Sequence, residues 1–191
     1  MNKFRDLNEL TLREFEKYSE MLKDENETDI FGIMELFGID HPESLPTDKF
    51  GMYWDRIKTM SLSIKGVKKV YNINGKRFKA QLNILNLKAG QFIDLQNYLK
   101  NYKLHEVLSI FLIPQYKTKW FGKWSTYNYN DGYDLLQIQE YLYENMLIGE
   151  ASELAAFFLR NSQIMLKTIA NCSEKKLIKM KIKKLKELGI R

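Results

Sequence analysis

Apolar and polar positions sort onto two clean faces in one stretch, Val70 to Leu82, and the chain on either side reads as helices that could pack on it. Val70-Tyr71-Asn72-Ile73 and Lys76-Arg77-Phe78-Lys79-Ala80-Gln81-Leu82 are separated by Asn74-Gly75. Asn-Gly suits a two-residue type I′ turn, because both central residues need positive φ. The implied register sets Ile73 opposite Lys76 and Tyr71 opposite Phe78. One face then carries Tyr71, Ile73, Phe78, Ala80, Leu82 and Ile84, and the other Asn72, Arg77, Lys79, Gln81 and Asn83. That split predicts one buried face and one wet face. A lone hairpin is marginal in water, so the apolar face requires a lid. The expected lid is the helix over Ala89–Leu99, with Phe92, Leu95 and Leu99 on one stripe. The apolar run Leu104–Ile113 fits a buried strand or a buried helix, and helix is favoured because it continues the preceding pattern to a stop at Pro114.

Helical periodicity covers most of the remainder. Thr11-Leu12-Arg13-Glu14 is a capping box, and its helix is expected to turn Phe15, Tyr18 and Leu22 inward. Asp29 opens a second helix that Gly38 ends. A third runs from about Thr47 to Met60. Asp134 caps a helix carrying Leu135, Ile138, Leu142 and Met146, which is expected to stop near Gly149. A long helix follows from Glu150 to about Asn171, and a last one from Lys175 to Leu188. The fold expected is mainly α with one β-hairpin (α+β): a helical bundle on a two-stranded antiparallel hairpin, with a basic C-terminal helix. Residues 1–171 form the domain, as an acidic helical head (1–66), the hairpin (67–84) and a helical body (87–171). Residues 172–191 form a basic amphipathic appendage.

Charge sharpens this picture because it is segregated. Residues 1–56 hold seven Lys or Arg against fourteen Asp or Glu; residues 57–172 hold fifteen against eight; residues 173–191 hold eight against two. An acidic head and a basic middle cancel, so the formal net charge of +6 equals the excess of the last segment. Such a dipole can be neutralised within the fold or between subunits, which makes a homo-oligomer an expectation. Met1-Asn2-Lys3-Phe4-Arg5-Asp6 has no apolar core of a signal peptide, and no apolar run reaches the length of a membrane span. Cys172 is the single cysteine, so an internal disulfide is excluded.

Candidate chemistry is sparse. His41 precedes a proline in a turn and reads as solvated; His105, beside Glu106, reads as the start of a helix. One cysteine and two distant histidines do not make a structural zinc site. Asn128-Tyr129-Asn130-Asp131-Gly132 fails as a calcium loop, because tyrosines fall at ligand positions. No phosphate-binding glycine pattern is present. No catalytic residue, cofactor or metal is expected, and the chain is not expected to be an enzyme.

Two surfaces stand out instead. Gln115–Tyr133 carries Tyr116, Trp120, Phe121, Trp124, Tyr127, Tyr129 and Tyr133 among Lys117, Lys119 and Lys123. These aromatics fit a loop folded onto the core, a protein-docking surface, or a stacking platform for single-stranded nucleic acid. The terminal helix presents Lys175, Lys176, Lys179, Lys181, Lys183, Lys184, Lys186 and Arg191. It fits a solvated face, or contact with an acidic subunit, nucleic acid or an anionic membrane surface.

Five segments together carry a resemblance over about half the chain. They are Tyr71-Asn72-Ile73-Asn74-Gly75-Lys76-Arg77-Phe78, Leu87-Lys88-Ala89-Gly90-Gln91-Phe92-Ile93-Asp94-Leu95, Leu108-Ser109-Ile110-Phe111-Leu112-Ile113-Pro114, Tyr129-Asn130-Asp131-Gly132-Tyr133-Asp134 and Ala155-Ala156-Phe157-Phe158-Leu159. In this order the chain resembles the tail-assembly chaperones and baseplate-associated assembly proteins of tailed bacteriophages. The resemblance implies a non-enzymatic protein that binds tail or portal-proximal proteins in the host cytoplasm during morphogenesis, with no cofactor. The acidic head and lysine-rich tail fall outside the match, and the insert Lys117–Thr126 is long for it, which leaves room for a component of the virion itself. The alternative is a nucleic-acid-binding accessory protein that uses the aromatic segment and the lysine helix.

Overall fold

The computed structural model describes residues 3–23, 28–64, 66–83, 86–101, 103–118, 122–127, 134–158 and 160–161, and for 89, 92, 96, 100 and 101 the backbone alone. Among these residues the chain is mixed α+β and mainly helical. Helices α1 (Leu12–Met21), α2 (Ile30–Leu36) and α3 (Thr47–Thr59) precede strands β1 (Val70–Ile73) and β2 (Lys76–Ala80). Then come α4 (Ala89–Asn101), α5 (Leu104–Phe111), β3 (Leu112–Lys117), β4 (Trp124–Thr126) and α6 (Leu135–Asn145). Helical backbone resumes at 148–158, as α7. The chain divides into two compact units, Met1–Ala155 and Ala156–Arg191. The described part of the second is helical, with the Phe157 and Phe158 rings edge to face at 5.3 Å. The expected boundary after residue 171 and the basic terminal helix lie outside the described residues.

The hairpin forms in the register that its turn dictates, Ile73 with Lys76 and Tyr71 with Phe78. Asn74 and Gly75 both take positive φ, 40° and 83°, as a type I′ turn requires. Tyr71, Ile73, Phe78 and Ala80 are buried. The sheet, however, has four antiparallel strands in the order β1-β2-β3-β4, not two. Lys79 pairs with Ile113 and Ala80 with Leu112, and Gln115–Lys117 pair in turn with β4. The expected two-stranded hairpin is therefore half of the sheet.

Pro114 explains the misreading. A helix does end before it, at Phe111, because Leu112 turns to extended backbone (φ −99°, ψ 95°). The residue before a proline disfavours α geometry, but the chain continues as a strand rather than stopping. Proline is normally kept from inner strands because it cannot donate to the ladder. Here the Tyr127 N–H donates to the Pro114 carbonyl at 3.1 Å. The N–H and C=O of a ladder residue face the same neighbour. The missing donor therefore falls beyond the end of β4, where the ladder stops anyway, and the pairing with β2 loses nothing.

The lid also differs from the expectation. Tyr141 on α6 lies over the hairpin, its ring 6.0 Å from that of Phe78. Its hydroxyl is 2.7 and 2.8 Å from the carbonyls of Ile73 and Asn74. Of the α4 stripe, Leu95 is buried and Leu99 is exposed. Polar links fix the helix positions: the Gln91 amide donates to the Ile110 carbonyl at 3.3 Å, and the Gln139 amide to the Ser109 hydroxyl at 3.4 Å. Helix α6 ends at Asn145 rather than near Gly149. Extended backbone at Met146 lets its carbonyl accept from the Leu12 N–H, while the Ile148 N–H donates to the Leu10 carbonyl. Leu10, Leu12, Met146 and Ile148 are all buried at this junction.

The acidic head is tied in through its caps. Thr11 and Glu14 form the expected capping box, Asp29 caps α2, and Gly38 closes it at φ 83°. On α1 Leu12 is buried, and of the three expected inward residues Phe15 and Tyr18 are half-buried, Tyr18 edge to face with the buried Phe37 at 5.5 Å, while Leu22 is exposed. Both Glu14 carboxylate oxygens accept from Arg5, at 2.7 and 2.6 Å. That bidentate pair, with the Thr11 N–H, holds the Glu14 carboxyl below its usual range. Its stabilisation is therefore complete above the ordinary carboxylate value and is lost as pH falls through the lowered one.

Two outcomes follow from this packing. Phe78→Ala should cost about 3–5 kcal/mol in urea unfolding, as for a fully buried aromatic. Glu14→Gln should cost about 2 kcal/mol near neutral pH, and its difference from the parent should shrink as unfolding is repeated at acid pH.

Candidate interaction surface

Alternation along paired strands sorts the sheet into two faces. Tyr71, Ile73, Phe78, Ala80, Leu112, Pro114 and Tyr116 share the core face, and Asn72, Arg77, Lys79, Gln115, Lys117, Trp124 and Thr126 share the outer face. Of the aromatic segment, residues 115–117 and 124–126 are thus sheet strands. Its Thr118 N–H and Lys123 carbonyl bond at 2.8 Å, and Gly122 at φ 59° carries the connection.

The six aromatic candidates do not form one cluster. Tyr116 lies at the end of the core face, with its ring centroid 4.7 Å from that of Tyr127. These two are 43% and 42% exposed. Trp124, 45% exposed, points the other way. The Arg77 guanidinium carbon sits over its ring at 4.9 Å from the centroid, and Arg77 Nε donates to Gln115 Oε1 at 3.0 Å. Trp120, Phe121 and Tyr129 lie outside the described residues, as do Lys175, Lys176, Lys179, Lys183, Lys184 and Lys186. Sequence reading missed Arg77 and Gln115 as surface partners of Trp124. The polar alternation of β2 was the available signal; the partner strand was not.

A second concave site, a cleft of about 490 Å³, is lined by α1, α5 and α6 with Lys103 at its edge. Charges of both signs line it: Arg13, Glu16, Lys17, Glu20 and Glu140 surround His105 and Tyr143. The Tyr143 hydroxyl donates to Glu16 at 2.6 Å, and this bond with burial pushes the phenol up to about 12. The His105 ring lies 4.7 Å from that of Tyr143. Burial lowers its pKa, against the opposing pull of Glu106, Glu16 and Glu140. The Tyr143–Glu16 bond ties α6 to α1 at this cleft. His41 is exposed in a turn at φ 51°, 3.3 Å from Glu43.

No group of three or more His, Cys, Asp or Glu among the described residues could hold a metal ion. None of the described helices is long and apolar enough to cross a membrane. The chain matches no family model, no curated protein and no solved structure.

The lowered His105 pKa has a definite sign in stability. The unfolded chain takes up the proton more readily, so stability is complete above the ordinary histidine value and declines as pH falls below it. The His105 ring should titrate below its usual 6.5 by NMR. Urea midpoints should fall between about pH 7.5 and pH 5.5, and His105→Asn should flatten that fall.

Proposed function

We propose that this chain is a non-enzymatic bacteriophage morphogenesis or virion protein that acts through protein–protein contacts in tail or portal-proximal assembly. The observation that supports it best is the Tyr116–Tyr127 pair, tilted ring against ring and exposed at the end of the core face of the sheet. Tyrosine offers large contact area at low entropic cost, and aromatics of this kind anchor protein interfaces. The pair adjoins β4, a strand of three residues at the end of the strand order. A partner seated there meets an apolar face and a strand edge together. The five-segment resemblance to tail-assembly proteins supplies the context, and the sheet holds one of those segments, the hairpin, with Leu112–Pro114 of another.

The acidic first 56 residues and the basic remainder also support head-to-tail contact between copies. Light scattering at low and high salt, alone and with phage tail proteins, tests the proposal. A stoichiometric complex or a ring-sized oligomer is the expected result, and a strict monomer indifferent to those proteins would count against it. Tyr116→Ala with Tyr127→Ala should weaken the complex by about 30-fold or more, as for loss of an interface anchor, while leaving the urea midpoint close to that of the parent.

A further inference from the structure

We propose that the outer face of the sheet binds single-stranded nucleic acid, with Trp124 as the stacking platform and Arg77, Lys79 and Lys117 as phosphate contacts. This surface lies on the opposite side of the sheet from the Tyr116–Tyr127 pair and stands independently of the assembly reading.

Charge is the first argument. The four strands contain Lys76, Arg77, Lys79 and Lys117 and no Asp or Glu. Alternation places three of those four cations on one face. Lys79 and Lys117 are exposed, and among the described residues no carboxylate pairs with either. Elsewhere in the same unit several cations are paired: Lys68 with Glu150 at 2.8 Å, Arg5 with Glu14, and Arg13 with Glu144. A sheet face whose lysines have no carboxylate partner among the described residues suits a polyanion.

Geometry narrows the polyanion. Trp124 is fixed rather than loose: Gln115 holds Arg77 by its Nε–H, and the Arg77 guanidinium backs the indole ring. Ordering these side chains in advance lowers the entropic cost of binding. Nearly half of Trp124 still meets solvent. A base can stack on that exposed surface, because every base presents a π-face, while Lys79 and Lys117 meet the flanking phosphates. Lys117 is directly opposite Trp124 in the ladder, within reach of the same nucleotide. An acidic protein segment would use the lysines and gain little from the indole. A duplex keeps its bases stacked internally and offers none to Trp124.

The test is fluorescence anisotropy of a labelled oligo-thymidine strand with the full chain, competed by the same strand in duplex form and by polyglutamate. The expected result is salt-weakened binding of the single strand, poorly competed by both. Trp124→Ala should weaken it about ten-fold and Trp124→Phe much less. Lys79→Glu with Lys117→Glu, on exposed side chains whose change the fold tolerates, should lower the salt slope by about 1.4, two phosphate contacts' worth. Equal competition by polyglutamate would overturn the proposal in favour of an acidic protein partner. Equal competition by duplex, binding unchanged in both variants, or no binding at low salt would overturn it as well.

Discussion

Lys79 with Ile113 and Ala80 with Leu112 join two stretches of chain that each lack a stable home alone. The β1–β2 hairpin buries one face but is only two strands. The strand after α5 carries a proline and begins where a helix has just ended. Paired, they make the inner strands of a four-stranded sheet, and β4 adds to the far side. Each of the other elements is placed by that contact. Helix α5 runs directly into β3, α6 covers the hairpin with Tyr141, and the α6–α7 junction brings in the N-terminal segment through Leu10 and Leu12.

The same pairing creates the two surfaces of interest. Because side chains alternate, adding β3 and β4 to the hairpin extends both of its faces at once. The core face grows and ends in Tyr116 and Tyr127. The outer face gathers Gln115, Lys117 and Trp124 beside Arg77 and Lys79. One aromatic-rich strand pair thus presents an amphipathic patch on one side and a cationic platform on the other. Each can be altered without touching the other, so the protein-docking and nucleic-acid proposals fail or stand separately.

Electrostatics in the head is of a different kind. Arg5 and Glu14, or Tyr143 and Glu16, are local ties that use charge to fasten α1 to its neighbours. Burial lowers the pKa of His105 beside them. Glu14 and His105 weaken the fold in acid in the same direction: the lowered carboxylate must take up a proton, and a buried imidazole must charge.

Local chemistry determined a good deal by itself. Asn74-Gly75 set the hairpin and its register, since few other pairs accept two positive φ values. Thr11 and Glu14, Asp29 and Gly38, and Asp134 marked helix ends through side chains and backbone that act within a few residues. The burial of Tyr71, Ile73, Phe78 and Ala80 followed from strict alternation. What only the tertiary structure decided is where distance along the chain matters. Pro114 reads locally as a stop, and becomes a tolerated strand residue because its missing donor meets the end of β4. Leu99 reads as core and stays exposed, while Tyr141, forty-odd residues on, lies over the hairpin. Gly149 reads as a helix end, yet α6 stops earlier to exchange hydrogen bonds with Leu10 and Leu12. Trp124 acquires Arg77 only through a strand lying between them. In each case the deciding partner is a backbone or ring brought from far away, and no periodicity within the local window carries that information.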